Sequence, residues 1–367
     1  MRWSFKVARI SGIEVRIHIT FFLLLAVFAS FYGAQGGVSG TLKVLIFFLL
    51  VFLCVLLHEF GHAFAAKAYG IRTADITLLP IGGVARMERM PEKPAQELVV
   101  AIAGPLVNVV IAAALLSVLA VTGNLDFSEL LDPARFNALW ALLYTNVMMV
   151  VFNLIPAFPL DGGRILRALL ATRLSYARAT QIAATVGQVL ALLMGVWAFS
   201  RGPALLALIA IFIYMGAESE SSFVQMRYAM SGIPVSSAMM TRFDTLNHSA
   251  TLDQAIDALL GSSQHEFPVL DDNGGFAGLL TKHDLLVALR KAGPDTPVSD
   301  VMITGLPTLV PHMSLERAFS MMKEGNVSAL PVVDHVGQLI GLFTTENVSE
   351  LIMVQSALGN KSHRFQR

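Results

Sequence analysis

Charged residues are scarce in this sequence. Only 14% of the 367 residues are Asp, Glu, Lys or Arg, and 55% are hydrophobic. Soluble domains carry about 25% charged residues, so a wholly soluble chain does not fit this composition. The mean hydropathy of +0.64 points the same way. Much of the chain is therefore expected inside a membrane, with room for one or two further domains.

Net charge and cysteine are lacking as well. The formal net charge is zero, which argues against a nucleic-acid-binding protein that works by neutralising phosphates. The single cysteine, Cys54, excludes an intramolecular disulfide framework. It lies one helical turn before His58, and we interpret it as a packing residue rather than a metal ligand. The first 20 residues are too mixed in polarity and too basic for a cleaved signal peptide.

Six apolar segments are candidate membrane spans, at about 19–32, 42–69, 97–121, 136–154, 182–199 and 203–216. The shortest of them need tilt or local thinning to fit a hydrocarbon core of about 30 Å. Residues 1–17 alternate between apolar and polar types, which predicts short strands or an interfacial segment. Residues 71–91 are too short and too broken to span, and they predict a re-entrant β-hairpin associated with the membrane.

The distribution of Lys and Arg predicts the orientation of these spans. Positive charges precede the first span and concentrate at 67–93 and 164–178, whereas 33–40 and 122–133 contain none. Loops rich in Lys and Arg stay on the cytoplasmic side. We therefore expect the N-terminus, both basic segments and the region after the last span to be cytoplasmic.

An ionisable motif interrupts the second apolar segment. His58, Glu59 and His62 occur where polar side chains are costly and by default functional. Residues four apart share one face of a helix, so the two imidazoles can bind one metal ion. Glu59 is placed to act on a metal-bound water, first as a general base and then as an acid toward the leaving amine. The alternative is a chance match to the His-Glu-x-x-His pattern.

The segment after the fourth span is expected to supply a third ligand. A catalytic zinc site needs three protein ligands and an open position for water. The best candidate is Asp161, which falls on the same predicted side as the two histidines. Pro156 and Pro159 stop the preceding helix, and the two glycines after Asp161 allow close approach. The alternative for Asp161 is a helix-stop turn followed by an N-cap aspartate.

Two amides stand in apolar surroundings near these motifs. Asn153 is placed to orient Asp161 or to hold the oxyanion of a substrate, and we assign it to catalysis. We assign Asn108 to substrate binding. For both residues the alternative is a hydrogen bond between helices that only holds the bundle together.

Three motifs in this order resemble one known family. They are His58-Glu59-Phe60-Gly61-His62, Gly104-Pro105-Leu106-Val107-Asn108, and the run from Asn153 through Pro159-Leu160-Asp161-Gly162-Gly163-Arg164. Together they resemble the site-2 proteases, which are intramembrane zinc metalloproteases. The resemblance covers about residues 1–220. No PDZ domain is inserted between the motifs, because only 99 positions (161 − 62 = 99) separate the second histidine from the aspartate.

The resemblance implies a fold, a cofactor and a set of site residues. The fold is an α-helical polytopic membrane protein of about six transmembrane helices with a membrane-associated β-hairpin, and the cofactor is Zn²⁺. The resemblance implies that His58, His62 and Asp161 bind zinc and that Glu59 is the catalytic glutamate. It also implies that Gly82 and Gly83 are the paired glycines of the hairpin that receives the substrate.

A repeat fills the soluble part of the chain. Nine residues recur at a constant offset (331 − 268 = 63), namely Pro234, Met239, Thr241, Leu252, Ala255, Pro268, Gly278, Leu279 and Thr281, each found again 63 positions later. Two copies of one supersecondary unit are expected to pack on each other, and each reads strand, helix, strand, strand, helix. The repeat resembles a soluble α/β tandem of CBS domains at 234–296 and 297–356, after a linker at 221–233 and before a tail at 357–367.

CBS domains bind adenine nucleotides, so the resemblance implies ATP, ADP or AMP as a regulatory ligand. The Gly-h-h-Thr-x-x-Asp signature puts cofactor contacts at Thr281 and Asp284 in the first copy, and at Thr344 and Asn347 in the second. The second copy carries Asn in place of Asp, which removes a charge from that cleft. The alternative is a pair that binds no nucleotide and serves for assembly, including homo-oligomer formation, or for substrate docking.

The function expected from the whole sequence is that of an intramembrane zinc metalloendopeptidase. It would cut transmembrane segments of substrate proteins, as in regulated intramembrane proteolysis, under control by adenine nucleotide. Its partners would be a transmembrane protein and membrane lipid, with no nucleic acid, in a prokaryotic cell membrane. The alternatives are a CBS-gated transporter and a metal-binding membrane scaffold without catalysis.

Overall fold

The computed structural model describes residues 3–80, 82–88, 91, 93–123 and 137–358. The chain divides into two compact units, Met1–Val224 and Gln225–Arg367. The predicted acidic loop at 122–133 and the predicted tail at 357–367 lie largely outside the described residues.

Long apolar helices dominate the first unit. α1 covers Ile19–Ala68 and is interrupted at Gly37, whose φ of 61° and ψ of −161° are not helical. The other helices among the described residues of this unit are α2 (Pro94–Val121), α3 (Ala138–Asn153), α4 (Asp161–Ala171), α5 (Tyr176–Arg201) and α6 (Ala204–Met230). α6 continues through most of the predicted 221–233 linker. Helices thus lie at each of the six predicted span positions, and α4 lies between the fourth and the fifth.

Within the described part of the chain, four helical segments are long and apolar enough to cross a membrane, namely Gly37–Ala68, Pro94–Val121, Tyr176–Arg201 and Ala204–Met230. Ile19–Phe31 and Ala138–Asn153 are apolar but shorter. A span usually needs about 20 residues, so the number six stays a prediction. Large apolar side chains such as Leu193 and Phe199 are exposed on the outside of the bundle, as lipid-facing helices require.

A four-stranded sheet packs against α1. Its strands are β1 (Ser4–Ile10), β2 (Ile13–His18), β3 (Thr73–Leu79) and β4 (Gly82–Met87), and they lie side by side in that order. β3 and β4 form the predicted hairpin, and β2 and β3 are parallel. Ile13, Val15 and Ile76 of the sheet pack with Phe60 and Ala63 of α1. This packing holds β4 beside the part of α1 that carries the histidine motif.

The first copy in the second unit has the predicted order of strand, helix, strand, strand and helix, and the second copy differs only in its first strand. The first copy contains β5 (Leu246–Asn247), α7 (Leu252–Gly261), β6 (Glu266–Leu270), β7 (Phe276–Thr281) and α8 (Lys282–Ala292). The second contains α9 (Leu315–Gly325), β8 (Ala329–Val333), β9 (Leu339–Thr344) and α10 (Thr345–Leu358). In place of β5, the second copy has a parallel bridge from Leu309 to Val332. A short 3₁₀ turn lies near the start of each copy, at Val235–Ser237 in the first and at Val298–Asp300 in the second.

The two copies exchange their first segments. The backbone of Met240 pairs with Leu342 in the second copy, and Ile303 pairs with Leu279 in the first. Each pair is related to the other by the same 63-residue offset. The start of each predicted CBS domain therefore completes the core of the other, and Val298 accordingly packs in the core of the first copy.

Candidate metal centre and active site

Three buried side chains converge where α1 meets the start of α4. His58 Nε2 and His62 Nε2 are 3.1 Å apart. Asp161 Oδ2 lies 3.3 Å from the first nitrogen and 3.2 Å from the second. All three residues are at most 6% exposed. The structure thus brings together the three metal ligands that the sequence predicts.

The surroundings of these atoms favour a cation between them. His62 Nδ1 is 2.7 Å from the backbone oxygen of Val100. A carbonyl only accepts, so Nδ1 carries the hydrogen and Nε2 presents a lone pair. Asp161 Oδ2 is buried and has no hydrogen-bond partner among the described residues. Ligands about 2.0–2.1 Å from a tetrahedral zinc ion stand about 3.3 Å apart, and the observed triangle fits that spacing.

Asp161 is the first residue of α4, and the N-cap position belongs to Leu160. The alternative assignment of Asp161 as an N-cap is therefore wrong. The chain turns between α3 and α4 at a segment that contains Pro156 and Pro159, and the turn sends the carboxylate toward α1. An acidic group in the first helical turn also interacts favourably with the positive end of the helix dipole.

Gly104 on α2 leaves room for the imidazole of His62. A Cβ built at Gly104 would lie 2.5 Å from His62 Cε1 and would also overlap Nε2. Real Cβ atoms do not approach a ring this closely. In the sequence, Gly104 was only part of the Gly104–Asn108 motif. Its contact with His62 could not be predicted, because the sequence does not show which neighbour a glycine in a helix faces.

Gly104→Ala is expected to displace the His62 ring and to weaken zinc binding by about tenfold or more, the size found when the support of a metal ligand is removed. The measurement is the zinc dissociation constant of the purified protein by chelator competition. Gly195→Ala on α5 is the matched control, because a Cβ there meets only Ala210 Cβ at 3.6 Å. Equal zinc affinity in both variants would contradict the assigned packing.

Glu59 shares a cavity with the three ligands. The cavity measures about 980 Å³, and its lining includes His58, His62 and Asp161 together with Glu59. Gly83 of β4 lies directly over the glutamate, since a Cβ at Gly83 would be 2.6 Å from Glu59 Cγ. The Glu59 carboxylate, the three candidate metal ligands and the backbone of β4 therefore face one cavity.

The remaining predicted site residues of this unit separate into two groups. Gly82, Gly83 and Asn153 line the cavity. The Asn153 amide donates to the Met149 oxygen of its own helix at 3.0 Å, and the described residues contain no hydrogen bond from it to Asp161. Asn108 differs from the prediction, because it is completely buried and contacts His58 rather than the cavity.

Cys54 is buried and accepts a hydrogen bond from Asn146 Nδ2 at 3.4 Å. It is absent from the group of described residues that can hold a metal ion. The sequence analysis did not select Asn146 as a site residue. The one feature of the sequence that could have indicated it is a polar amide within an apolar helix, eight positions before the start of the α3–α4 turn.

A buried cluster of charged side chains was also not predicted from the sequence. Arg167 on α4 is completely buried, and its Nη2 lies 2.5 Å from Glu97 Oε1 on α2. Its Nη1 lies 2.5 Å from Glu220 Oε1 on α6. The cluster therefore ties the helix that begins with Asp161 to two long helices.

The predicted nucleotide contacts cap helices. Thr281 accepts from the Asp284 backbone at 3.1 Å and donates to the Asp284 carboxylate at 2.6 Å. In the second copy, Thr344 accepts from the Asn347 backbone at 3.2 Å and donates to the Asn347 side-chain oxygen at 2.8 Å. An N-cap of this kind stabilises a helix by about 1 kcal/mol. Asn347 therefore keeps the hydrogen-bond pattern that Asp284 makes, although it carries no charge for a ligand.

Comparison with known proteins decides the family. A profile of peptidase family M50 matches residues 46–132 and 128–194, and a CBS domain profile matches 235–291 and 298–354. A zinc metalloprotease of Methanocaldococcus jannaschii is 36% identical over 284 residues, which are 76% of this chain and 78% of that one. The chain belongs to peptidase family M50, the site-2 proteases. This peptidase is a membrane zinc metalloprotease that carries a CBS pair, so the predicted family, fold class and enzyme class are confirmed.

Two further relatives resemble the peptidase over long stretches. Rip3 of Mycobacterium tuberculosis is 27% identical over 374 residues, which are 96% of this chain and 94% of that one. The solved structure of the site-2 protease from Methanocaldococcus jannaschii covers 60% of this chain and 95% of its own, at 40% identity and a TM-score of 0.45.

Proposed function

We propose that this peptidase hydrolyses peptide bonds within transmembrane segments of substrate proteins, with zinc held by His58, His62 and Asp161. One observation carries the proposal. The three ligand atoms lie within 4.8 Å of one another, and two of them belong to Gly37–Ala68, a segment able to cross a membrane. When bound, zinc supplies Lewis-acid activation of water and of the peptide carbonyl.

Glu59 moves the proton in the proposed reaction. Its carboxylate accepts a proton from the attacking water and delivers it to the amide nitrogen that leaves. Its place in the cavity of the three ligands supports this role. Asn153 lines the same cavity and gives one amide hydrogen to Met149. An asparagine carries a second N–H, which we assign to the carbonyl oxygen of the scissile bond.

The outer edge of β4 is the proposed site for the substrate strand. β4 ends the sheet order and pairs with β3 on one side. A strand at a sheet edge can pair with an added peptide, which would unwind a helical substrate and expose its peptide bond. Gly82 and Gly83 present no side chains at this edge, so a peptide can approach Glu59 closely. Mapping the cut in a purified single-span substrate tests the proposal, and the cut is expected inside the transmembrane segment.

The peptidase is further proposed to lie in a prokaryotic cell membrane with its N-terminus and CBS pair on the cytoplasmic side. The Lys and Arg residues at 67–93 and 164–178 support this orientation. Membrane lipid would then surround the exposed apolar helix faces. Contact between copies through the CBS pair would produce a homo-oligomer.

The CBS pair is proposed to bind an adenine nucleotide and to regulate cleavage. Its match to the CBS domain profile in both copies supports this role. In the first copy, the Asp284 carboxylate would accept hydrogen bonds from the ribose hydroxyls, and Thr281 would meet phosphate. In the second copy, Thr344 and Asn347 occupy the same positions. α6 covers most of the segment 217–233, through which the effect would pass.

Calorimetric titration of the full-length peptidase with ATP, ADP and AMP is expected to give heat with at least one of them. Asp284→Asn should weaken that binding by about tenfold, because a hydrogen bond to a charged group contributes about 1.5–3 kcal/mol. The cap should survive, as it does at Asn347. The thermal midpoint without nucleotide is the control and should not change. Absence of heat with the parent protein would reduce the pair to an assembly or docking module.

A further inference from the structure

A chain of buried amides leads from α3 through α2 to His58. Asn146 Nδ2 donates to the Leu142 backbone oxygen at 2.8 Å. Asn108 Nδ2 donates to Asn146 Oδ1, also at 2.8 Å. Asn108 Oδ1 lies 2.5 Å from His58 Nδ1. Both asparagines are completely buried, so water does not compete for these contacts.

The direction of every hydrogen bond in this chain follows from its first member. A backbone oxygen only accepts, so Asn146 must turn its NH₂ toward Leu142 and its oxygen toward Asn108. Asn108 must then turn its NH₂ toward Asn146 and its oxygen toward His58. An amide oxygen requires a donor, so His58 Nδ1 carries the hydrogen. Nε2 is left with the lone pair that faces His62 and Asp161.

Two sulfur atoms complete the arrangement. The second hydrogen of Asn146 Nδ2 is directed to Cys54 Sγ at 3.4 Å. The second hydrogen of Asn108 Nδ2 is directed to Met149 Sδ at 3.7 Å. Rotation of either amide would set oxygen against oxygen along the chain and would turn an oxygen toward a sulfur. The orientation is therefore determined well outside the metal centre.

We propose that Asn146 and Asn108 are positioning residues that decide which ring nitrogen of His58 carries the hydrogen, so that Nε2 is presented to zinc. The inference rests on the zinc site proposed above. Metal-bound histidines are generally held by a hydrogen bond at the other nitrogen. Here that bond is itself oriented by a second amide and, through it, by a main-chain oxygen of α3.

A double-mutant cycle on zinc affinity tests the inference. Asn146→Leu removes the group that orients Asn108 and is expected to weaken zinc binding by about 10–100-fold. Asn108→Ala removes the amide through which Asn146 acts on His58. Adding Asn146→Leu to Asn108→Ala should therefore change the zinc dissociation constant by less than about threefold. Affinities are measured on the full-length protein in detergent by competition with a chromophoric chelator.

Thr180→Val is the matched control, because Thr180 is equally buried but donates only to Tyr176 of its own helix. Its zinc affinity should equal that of the parent. An equal loss from Asn146→Leu in both backgrounds, or no loss in the parent background, would overturn the positioning role. If His58→Ala retains the parent's zinc affinity, the zinc site itself fails, and this outcome is distinct from failure of the amide chain.

A second measurement serves if Asn146→Leu does not fold. ¹⁵N NMR of the zinc-free parent, labelled at histidine, reports which nitrogen of each ring carries the hydrogen. The His58 signal is assigned by its loss in His58→Ala. The Nδ1–H form is expected, and a predominant Nε2–H form would refute the proposal.

Discussion

Glu59→Gln is expected to lower the rate of peptide cleavage by about 10²–10⁴-fold, the usual contribution of a general acid–base group. Glutamine has nearly the shape of glutamate but cannot accept the proton of the attacking water. Zinc content should be unchanged, because the candidate metal group consists of His58, His62 and Asp161. The measurement combines metal analysis of the purified variant with its cleavage rate on a reconstituted transmembrane substrate.

Glu218→Gln is the control for this substitution. Glu218 is exposed on α6 and accepts a hydrogen bond from Gln188 at 2.7 Å. The same chemical change there should leave the cleavage rate unaltered. Cleavage by Glu59→Gln within twofold of the parent rate would contradict the assignment of Glu59 as the proton carrier.

Arg167→Met is expected to destabilise the protein by about 3–5 kcal/mol, because removal of one partner leaves a buried charge without compensation. Glu97 is 2% exposed and would be that charge. The guanidinium also lies 4.9 Å from the ring centroids of both Phe158 and Tyr176. The loss therefore includes the contacts with two aromatic rings as well as the ion pairs to Glu97 and Glu220.

Thermal unfolding in detergent measures this effect. At about 2–4 °C per kcal/mol, the expected fall in the midpoint is about 6–20 °C. Arg173→Met is the control, because Arg173 is exposed just beyond α4. The double variant Glu97→Gln/Arg167→Met should recover part of the loss, since it removes the buried charge. A midpoint for Arg167→Met equal to that of Arg173→Met would show that the cluster contributes nothing to stability.

Local spacing was enough to predict which three side chains of the candidate metal centre lie together. His58 and His62 lie four apart on one helix, and helical geometry alone places them on one face. The prediction that Asp161 lies near them needed only the predicted number of spans between it and the histidines. The repeat of 63 residues likewise predicted two similar copies. It did not predict that each copy completes the other's core, because periodicity carries no information about which copy a segment contacts.

Contacts between distant segments could not be predicted in this way. Glu97 and Arg167 are 70 positions apart, and each was an ordinary charge beside an apolar segment. The role of Asn108 depends on the rotation of α2, which a helix without a strongly amphipathic pattern does not reveal. The parallel pairing of β2 with β3 crosses the whole of α1. Alternation predicted the strands but not their partner.

The most direct test of the central claim is the position at which the purified peptidase cuts a single-span substrate in a lipid bilayer. Mass spectrometry of the products is expected to place the cut inside the transmembrane segment. Cleavage should stop when zinc is removed by a chelator and return when zinc is added. A cut only outside the transmembrane segment, or full activity after complete removal of zinc, would contradict the account.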